Sequence, residues 1–263
     1  MYAKKSLGQN FLNSPSAVIK IVDSAKLTKK DIVLEIGPGK GVLTKELLNG
    51  GKQVVAIEKD KDLISILEEK FASELKSKKL ILINADVLKI NLEKLGFKNG
   101  EFKIVANIPY YITGQLLRMF LENDIKPSLL VFLVQKEVAE RIARSKKESL
   151  LSLSVKAFGE PKYIATVPKT AFIPAPKVDS AILLIDNISA KNFKNKTEQE
   201  LFFEIIHAGF GQKRKLLLSN LKKSTWTPGV QVEEVFEFCG IDKKSRAEDV
   251  GLEQWLCLIH KFK

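Results

Sequence analysis

The sequence contains few residues of the types that most often bind metal ions or act as catalytic nucleophiles. Only two histidines and two cysteines occur among its 263 residues. His207 and His260 fit no metal-binding spacing such as H-E-x-x-H, and a Ser-His-Asp triad would have too few parts. Cys239 and Cys257 stand in apolar helical surroundings without a C-x-x-C partner, which predicts buried, reduced thiols. We therefore expect neither metal-dependent nor histidine-based catalysis.

Long apolar runs are also missing from the sequence. No stretch reaches the ~20 residues that a membrane-spanning helix needs. The lysines among residues 1–9 are not followed by the hydrophobic segment of a signal peptide. These absences predict a cytoplasmic protein. The content of 45% hydrophobic and 28% charged residues is typical of a globular chain.

The charge of the chain is strongly unbalanced. Lysine and arginine total 43 against 31 aspartates and glutamates, which gives a formal net charge of +12. Some surface must therefore carry a positive potential that attracts polyanions such as nucleic acids. A surplus of lysine that serves only solubility would give the same balance, so the charge alone does not identify the partner.

Short β-branched runs alternate with helix-length segments in the first two thirds of the chain. This alternation requires right-handed crossovers and a mostly parallel sheet, which predicts a doubly wound, Rossmann-like α/β domain over residues 1–186. Its opening helix is expected to begin at Pro15 after the cap Ser14. The last two runs flank the proline-rich loop 172–177 and predict an antiparallel hairpin at the sheet edge. The strand-like runs are residues 32–36, 54–57, 80–83, 102–106, 129–134, 163–167 and 181–185.

The character of the chain changes after the last predicted strand. The next segment is polar and rich in lysine and asparagine, and no further strand pattern follows it. Thr197 with Glu200, and Ser245 with Glu248, have the spacing of capping boxes ahead of apolar helical stripes. Residues 187–263 are therefore expected to form a small α-helical domain.

A glycine-rich turn follows the first predicted strand. Residues 37–41 (GPGKG) come directly after Ile36 and precede a helix, and ligands of open α/β sheets bind at such turns because glycine lets the backbone approach them closely. The dinucleotide fingerprint G-x-G-x-x-G fails here, because the third glycine comes one residue early. The pattern E-x-G-x-G-x-G resembles instead the turn that holds S-adenosylmethionine in Rossmann-like methyltransferases.

Two acidic residues follow the next two strands and complete a candidate cofactor site with Gly37. Glu58, about twenty residues after the first glycine, is placed to accept hydrogen bonds from ribose hydroxyls. NAD would use the same acid, so Glu58 does not separate the two cofactors, and a charged residue after a strand is often simply solvated. Asp86 is placed to accept a hydrogen bond from the adenine amino group of the cofactor.

The most specific motif, residues 107–110 (NIPY), follows the fourth strand. An adenine amino nitrogen is a poor nucleophile because its lone pair is delocalised into the ring. The side-chain oxygen of Asn107 and the carbonyl of Ile108 could accept its two hydrogens and orient it toward a methyl donor. Pro109 would stiffen the loop, and Tyr110 would stack on an extruded base. Taken alone, the motif could also be an ordinary strand-ending turn.

Taken together, these motifs resemble the family of ribosomal RNA adenine dimethyltransferases, which modify two adjacent adenosines near the 3′ end of small-subunit ribosomal RNA. The resemblance is nearly full length. It implies S-adenosylmethionine as the cofactor, S-adenosylhomocysteine as the product, and a partly assembled small ribosomal subunit as the partner. The matching segments are residues 5–12 (KSLGQNFL), 35–39 (EIGPG), 107–110 (NIPY), 135–138 (QKEV) and 172–180 (FIPAPKVDS).

The resemblance also assigns residues that the patterns alone could not. Asn10 and Leu12 are implied to close over the cofactor, joining Gly37, Glu58, Asp86 and Asn107 as its binding residues. Phe172 and the prolines after it resemble the family's loop beside the target base. The family normally has asparagine after the tyrosine of the catalytic motif, whereas this chain has Tyr111. The cations assigned to RNA phosphates are Lys213, Arg214, Lys215, Lys222 and Lys223.

Three other functions remain open at this point. A related enzyme methylates large-subunit ribosomal RNA and confers macrolide resistance, although residues 176–180 and 212–215 look more like the small-subunit enzymes. The glycine turn and Glu58 would also suit an NAD-dependent oxidoreductase. The charge alone would suit a non-catalytic RNA-binding assembly factor. We further expect a monomer, because no heptad seam is visible.

Overall fold

The computed structural model describes Lys4, residues 7–223 and residues 231–262. Lys5 and Ser6 of the first family-like segment lie outside the described residues. The chain divides into two compact units, one of residues 1–139 and 159–189, the other of residues 140–158 and 190–263. The expected single boundary after residue 186 lies close to residue 189, where the chain leaves the first unit for the last time. The earlier segment 140–158 also belongs to the second unit, which the sequence did not predict.

The secondary structure of the described residues alternates strands and helices and then becomes entirely helical. The strands are β1 (Phe11–Leu12), β2 (Ile32–Ile36), β3 (Gln53–Glu58), β4 (Leu80–Asn84), β5 (Phe102–Asn107), β6 (Leu129–Gln135), β7 (Glu160–Val167), β8 (Phe172–Ile173) and β9 (Ser180–Asp186). The helices are α1 (Pro15–Ser24), α2 (Val42–Gly50), α3 (Lys61–Lys70), α4 (Ala72–Lys76), α5 (Thr113–Glu122), α6 (Lys136–Ala143), α7 (Leu150–Lys156), α8 (Lys196–Phe210), α9 (Leu217–Leu221), α10 (Val232–Phe238) and α11 (Leu252–Lys261).

The first unit is built on a seven-stranded sheet with the order β4-β3-β2-β5-β6-β9-β7. The strands from β4 through β6 are parallel, whereas β9 is antiparallel to both β6 and β7. This topology confirms the predicted doubly wound, Rossmann-like sheet and the predicted antiparallel edge. The proline-rich loop contains β8, which pairs with β1 in a separate two-stranded sheet.

The strand order places the candidate site. Strands β3 and β4 lie on one side of β2 and strands β5 and β6 on the other, so the winding of the sheet reverses between β2 and β5. Ligands of open α/β sheets bind beside such a reversal, at the carboxyl ends of the strands. Several strands end there in polar residues, namely Glu58, Asn84 and Asn107. Because the prediction followed hydrophobic residues, it ended each of these strands one residue early.

The core explains why these segments become parallel strands. Six consecutive residues of β6 are buried, as expected for a strand covered by helices on both faces. Helix α1 begins as predicted, because the Ser14 hydroxyl accepts a hydrogen bond from the backbone of Ala17. In the described part of the chain, no helix is both long and apolar enough to span a membrane.

The second unit is helical, as expected, but two predicted helix starts are wrong. Asn195, and not Thr197, caps α8, because its side chain accepts from the backbone of Glu198 at 3.0 Å. Helix α11 begins after Gly251 and not after Ser245. In both places the capping-box spacing was present, but α8 is capped by another side chain and α11 begins after a glycine that has no side chain to cap it.

The prediction of free thiols is also wrong, because Cys239 and Cys257 form a disulfide. Cys239 follows α10 and Cys257 lies within α11, and the packing of these helices brings their Cα atoms to 5.7 Å, a normal disulfide separation. Both residues are half-buried. A C-x-x-C spacing could not reveal this pair, since helix packing joins cysteines 18 residues apart.

An aromatic cluster explains why residues 140–158 belong to the helical unit. Phe158 lies 5.4 Å from Phe193 and 6.1 Å from Phe203 between ring centroids, and Phe202 contacts both of these partners at 5.4 Å. Burying large rings in offset or tilted pairs is strongly favourable. The cluster therefore fixes the segment that ends at Phe158 to α8.

Candidate active site

The glycine turn between β2 and α2 has a backbone that requires glycine. Gly37, Gly39 and Gly41 have φ values of 65°, 57° and 72°, which residues with a side chain rarely adopt. A Cβ atom on Gly41 would lie 2.5 Å from the Phe71 ring. The N–H of Gly37 donates to the carbonyl of Ile57 at 2.9 Å, so the turn is bonded to the neighbouring strand.

Glu58 ends β3 and is hydrogen-bonded to this turn. Its Oε2 accepts from the N–H of Gly39 at 3.2 Å, and its Oε1 accepts from the N–H of Asp60 at 2.8 Å. Burial, with a smaller contribution from the charge of Asp60, raises the pKa of Glu58. The two amides oppose this effect and fix the position of the carboxylate.

Asp86 follows β4 and is paired with a lysine. Its Oδ2 accepts from Lys59 Nζ at 3.0 Å, and its Oδ1 accepts from the N–H of Leu88 at 3.1 Å. The hydrogen bond from Lys59 holds the pKa of Asp86 below its usual range. Asp86 is therefore an ionised acceptor at the margin of the site.

Glu35, in the strand before the glycine turn, is the most unusual group of the site. It is 1% exposed, and neither carboxyl oxygen has a hydrogen-bond partner among the described residues. The Thr44 hydroxyl favours the charged form, but it forms no hydrogen bond with either carboxyl oxygen. Burial, reinforced by the charge of Glu58, raises the pKa of Glu35 to about 8.

This raised pKa makes the stability of the cofactor-free protein depend on pH. Glu35 binds its proton more tightly in the folded chain than in the unfolded chain, so its contribution is favourable below about pH 4.5 and is lost as pH rises toward about 8. At about 1.4 kcal/mol per pH unit, the loss reaches a few kcal/mol. We expect Glu35→Gln to raise the midpoint of thermal unfolding at pH 8 and to lose this advantage near pH 5.

Thermal unfolding at both pH values checks this expectation. Glu69→Gln is a matched control, because Glu69 is an exposed residue of α3, and it should behave as the parent protein does at both pH values. An equal effect of Glu35→Gln at pH 5 and pH 8 would contradict the assigned protonation.

The catalytic motif begins at the end of β5. The Nδ2 of Asn107 donates to the carbonyl of Asn10 at 3.1 Å, which leaves Oδ1 as the acceptor of this side chain. Ile108 is buried and anchors the turn. The hydroxyls of Tyr110 and Ser180 share a hydrogen bond of 2.6 Å, and burial raises the pKa of Tyr110. The motif is thus bonded to the first family-like segment and to the last.

The N-terminal segment, defined here as Lys4 and residues 7–13, forms one wall of the site. Its strand β1 pairs with β8 in the registers Phe11↔Ile173 and Leu12↔Phe172. Leu12 is buried, whereas Asn10 is half-buried. The segment therefore lies over the glycine turn, where a Cβ atom on Gly39 would be 3.2 Å from the Phe11 ring.

The aromatic residues Phe172 and Tyr111 lie in contrasting environments, and only that of Phe172 differs from its prediction. Phe172, expected to touch RNA, is 3% exposed, so its ring cannot stack on a base in this conformation, because the pairing with β1 turns it inward. Its neighbour Ile173 is 59% exposed and lines the cleft instead. Tyr111 is 66% exposed and packs beside Gly8, where an added Cβ would be 3.1 Å from the ring.

The predicted cofactor and catalytic residues line one cleft of about 270 Å³. The structure therefore brings them together at the sheet edge where the sequence places them, while their individual roles stay predictions. These residues are Asn10, Leu12, Gly37, Glu58, Asp86, Asn107, Ile108, Pro109 and Tyr110.

Comparison with known proteins identifies the family of the chain that forms this cleft. A family described as ribosomal RNA adenine dimethylase matches residues 1–263. This chain belongs to the ribosomal RNA adenine dimethylase family. Curated relatives include ribosomal RNA small subunit methyltransferase A of Dehalococcoides mccartyi, 41% identical over 98% of this chain and 88% of that protein. The protein of the same name from Fusobacterium nucleatum is 37% identical over 98% of this chain and 97% of that protein.

Two solved structures are similar to this chain. A dimethyladenosine transferase from Plasmodium falciparum has a TM-score of 0.80 and 26% identity, covering 94% of this chain and 95% of that one. The 23S rRNA methyltransferase ErmE has a TM-score of 0.76 and 26% identity, covering 96% and 99%. Family membership confirms the predicted enzyme class and S-adenosylmethionine as cofactor. The oxidoreductase and non-catalytic hypotheses are therefore wrong.

The predicted RNA-binding segment of this dimethylase family member lies in the second unit, between α8 and α9. Lys213, Arg214 and Lys215 are all exposed. Lys222 differs, because it forms an ion pair with Glu233, so only part of its charge is available to phosphates. Lys223 is exposed and stays a candidate.

Sequence reasoning missed five residues that shape the cleft. The sequence offered a signal for Gln9, Glu35 and Ser180, which stand in the family-like segments 5–12, 35–39 and 172–180. The others act through partners far away in sequence, which no local pattern records. The five are Gln9, Glu35, Lys59, Asp60 and Ser180.

Proposed function

We propose that this chain dimethylates the exocyclic amino nitrogens of two adjacent adenosines in a hairpin near the 3′ end of small-subunit ribosomal RNA. The cleft carries the proposal, because it gathers the glycine turn, two carboxylates and the NIPY motif at one sheet edge. The curated relatives named for the small subunit support the choice of RNA.

The chemical character of the cleft fits S-adenosylmethionine. Gly37 and Gly39 leave backbone surface free of side chains, and Glu58 and Asp86 offer carboxylates for a ribose and an adenine amino group. Glu35 adds a buried carboxyl without a partner among the described residues. When bound, the cofactor supplies a methyl group already activated by a positively charged sulfur.

Asn107 is proposed to hold the target nitrogen. Its Nδ2 is committed to the carbonyl of Asn10, so its Oδ1 can accept one amino hydrogen while the carbonyl of Ile108 accepts the other. Hydrogen bonds to two acceptors would reduce the delocalisation of the nitrogen lone pair into the adenine ring and would orient that lone pair toward the methyl group. No strong base is required, since positioning and electrostatics supply most of the rate.

Tyr110 is proposed to hold the base itself. Its hydroxyl is bonded to Ser180, so the ring has a fixed orientation beside Asn107. A fixed aromatic face favours stacking of a base that has left its helix. Tyr111 and Ile173 leave apolar surface exposed along the same cleft, and this surface suits the passage of a base.

The second unit is proposed to bind RNA phosphates through Lys213, Arg214 and Lys215, with Lys223 adding charge. The natural partner is a partly assembled small ribosomal subunit, and the chain is expected to act as a cytoplasmic monomer. Light scattering over a range of concentrations tests the last point, and a concentration-independent dimer would contradict it.

Large-subunit RNA is the second candidate substrate, since the fold is also that of the 23S rRNA methyltransferase ErmE. Incubation of the purified chain with labelled cofactor and either undermethylated small subunits or large subunits separates the two. We expect dimethyladenosine in small-subunit RNA at two neighbouring positions. Methylation of large subunits alone would replace the proposed substrate, and no transfer to either by a folded protein would refute it.

A further inference from the structure

Asp60 is a buried carboxylate that the cofactor and catalytic assignments do not use. Its side chain is 0% exposed, and both oxygens accept hydrogen bonds. Oδ1 accepts from Lys4 Nζ at 2.6 Å and from the N–H of Asp62 at 3.1 Å, and Oδ2 accepts from Gln9 Nε2 at 2.8 Å. The bond to Asp62 caps α3. The other two connect Asp60 to the N-terminal segment.

These two bonds hold the end of the N-terminal segment that lies farthest from β1. The other end is fixed by pairing of β1 with β8, and the middle by the bond from Asn107 to the carbonyl of Asn10. The backbone N–H of Lys4 also donates to Gln9 Oε1 at 2.8 Å. The two residues that reach Asp60 are therefore also bonded to each other.

The backbone of Asp60 connects the same wall to the opposite side of the cleft. Its N–H donates to Oε1 of Glu58, whose Oε2 accepts from Gly39 in the glycine turn. The side chain of Asp60 holds the wall, while its amide orients the proposed ribose acceptor. These two contributions can be separated, because a side-chain substitution leaves the amide in place.

The negative charge of Asp60 stabilises the N-terminal segment in its position over the cleft. Burial raises the pKa of Asp60, but hydrogen bonds from Lys4 and Gln9 outweigh it and hold the pKa below its usual range. The buried group is therefore an anion, and hydrogen bonds to an anion are stronger than those between neutral groups. If the segment lifted, the carboxylate would lose two of its three partners.

We propose that Asp60 is a positioning residue that fastens the N-terminal segment over the cofactor cleft and so slows dissociation of S-adenosylmethionine and S-adenosylhomocysteine. This inference rests on the proposed function, since it requires this cofactor in the cleft. Asp60 itself touches none of the reacting atoms.

The test measures S-adenosylhomocysteine dissociation by stopped-flow displacement in Gln9→Ala and Asp60→Asn. Gln9→Ala leaves the α3 cap and the Glu58 contacts intact. Each variant should dissociate about 10-fold faster, as expected for loss of one hydrogen bond to a charged group. The double variant should be little faster than either single one, because both break the same connection. The KM for S-adenosylmethionine should rise while kcat at saturation stays unchanged.

Asp62→Asn is the matched control. Lys4 also reaches Asp62 Oδ2 at 2.7 Å, but the Asp62 side chain is 64% exposed, and exposed ion pairs contribute little. Its dissociation rate should equal that of the parent protein. Amide hydrogen exchange in residues 7–13 of the bound protein should be faster in Gln9→Ala than in this control.

The outcomes separate this inference from the proposed function. Binding of S-adenosylhomocysteine by the parent protein, with unchanged dissociation in Gln9→Ala, would overturn the role of Asp60 and leave the proposed function standing. Failure of the parent protein to bind S-adenosylhomocysteine would overturn both. If Asp60→Asn lowers the folded fraction, Gln9→Ala alone decides.

Discussion

Asn107→Ala is expected to lower turnover about 10²- to 10³-fold while RNA binding stays near normal, by analogy with the loss of one polar contact to a transition state. The substitution removes Oδ1, the acceptor proposed to hold an amino hydrogen of adenine. It leaves the glycine turn, Glu58 and the exposed basic residues unchanged. Single-turnover methylation at saturating cofactor measures the effect.

Saturation is needed because the side chain has two contacts. Nδ2 of Asn107 donates to the carbonyl of Asn10, so Asn107→Ala also loosens the N-terminal segment and should weaken cofactor binding. Calorimetric titration with S-adenosylhomocysteine measures that part separately. A near-normal single-turnover rate at saturation would show that Oδ1 has no role in catalysis.

The parts of this site that the sequence predicts are those set by local chemistry. Gly37 and Gly39 are recognisable because their positive φ values exclude other residues. Glu58 and Asn107 are recognisable because parallel strands bring their carboxyl ends to one edge, whatever their separation in the chain. A buried strand followed by a polar residue is a pattern that survives without any tertiary information.

The parts that the sequence does not predict depend on partners chosen by packing. Asp60 resembles an ordinary helix cap, and only the structure shows that it also binds residues 51 and 56 positions earlier. Phe172 looks like an exposed aromatic ring in a loop, but pairing with β1 buries it. Cys239 likewise finds its partner through the packing of two helices.

The basic segment of the second unit is anchored at its start by a buried side chain. Buried Asn220 donates from Nδ2 to the carbonyls of Gly209 and Gln212 at 2.6 and 3.2 Å. A Cβ atom on Gly209 would overlap the Trp255 ring, so the end of α8 packs closely there. This anchoring restrains the start of the loop that carries the three cations proposed to bind RNA phosphates, which would reduce the conformational freedom lost on binding.

Neutralising these cations in the triple variant Lys213→Gln, Arg214→Gln, Lys215→Gln should weaken RNA binding and flatten its salt dependence. Each phosphate contact contributes about 0.7 to the slope of log K against log salt for single-stranded RNA, so three lost contacts should reduce the slope by about 2. The same relation gives on the order of 10²-fold weaker binding at 0.1 M salt. Affinity for S-adenosylhomocysteine should not change, because these residues do not line the cleft.

A second triple variant separates specific contacts from total charge. Lys76, Lys78 and Lys79 precede β4 and therefore lie at the amino end of that strand, whereas the cleft lies at the carboxyl ends. Changing them to glutamine removes the same amount of charge from another place. This control should keep nearly the full salt slope. Equal losses in both variants would mean that RNA responds to net charge and that Lys213, Arg214 and Lys215 make no specific contacts. Loss of cofactor affinity only in the first variant would contradict the division of roles between the two units.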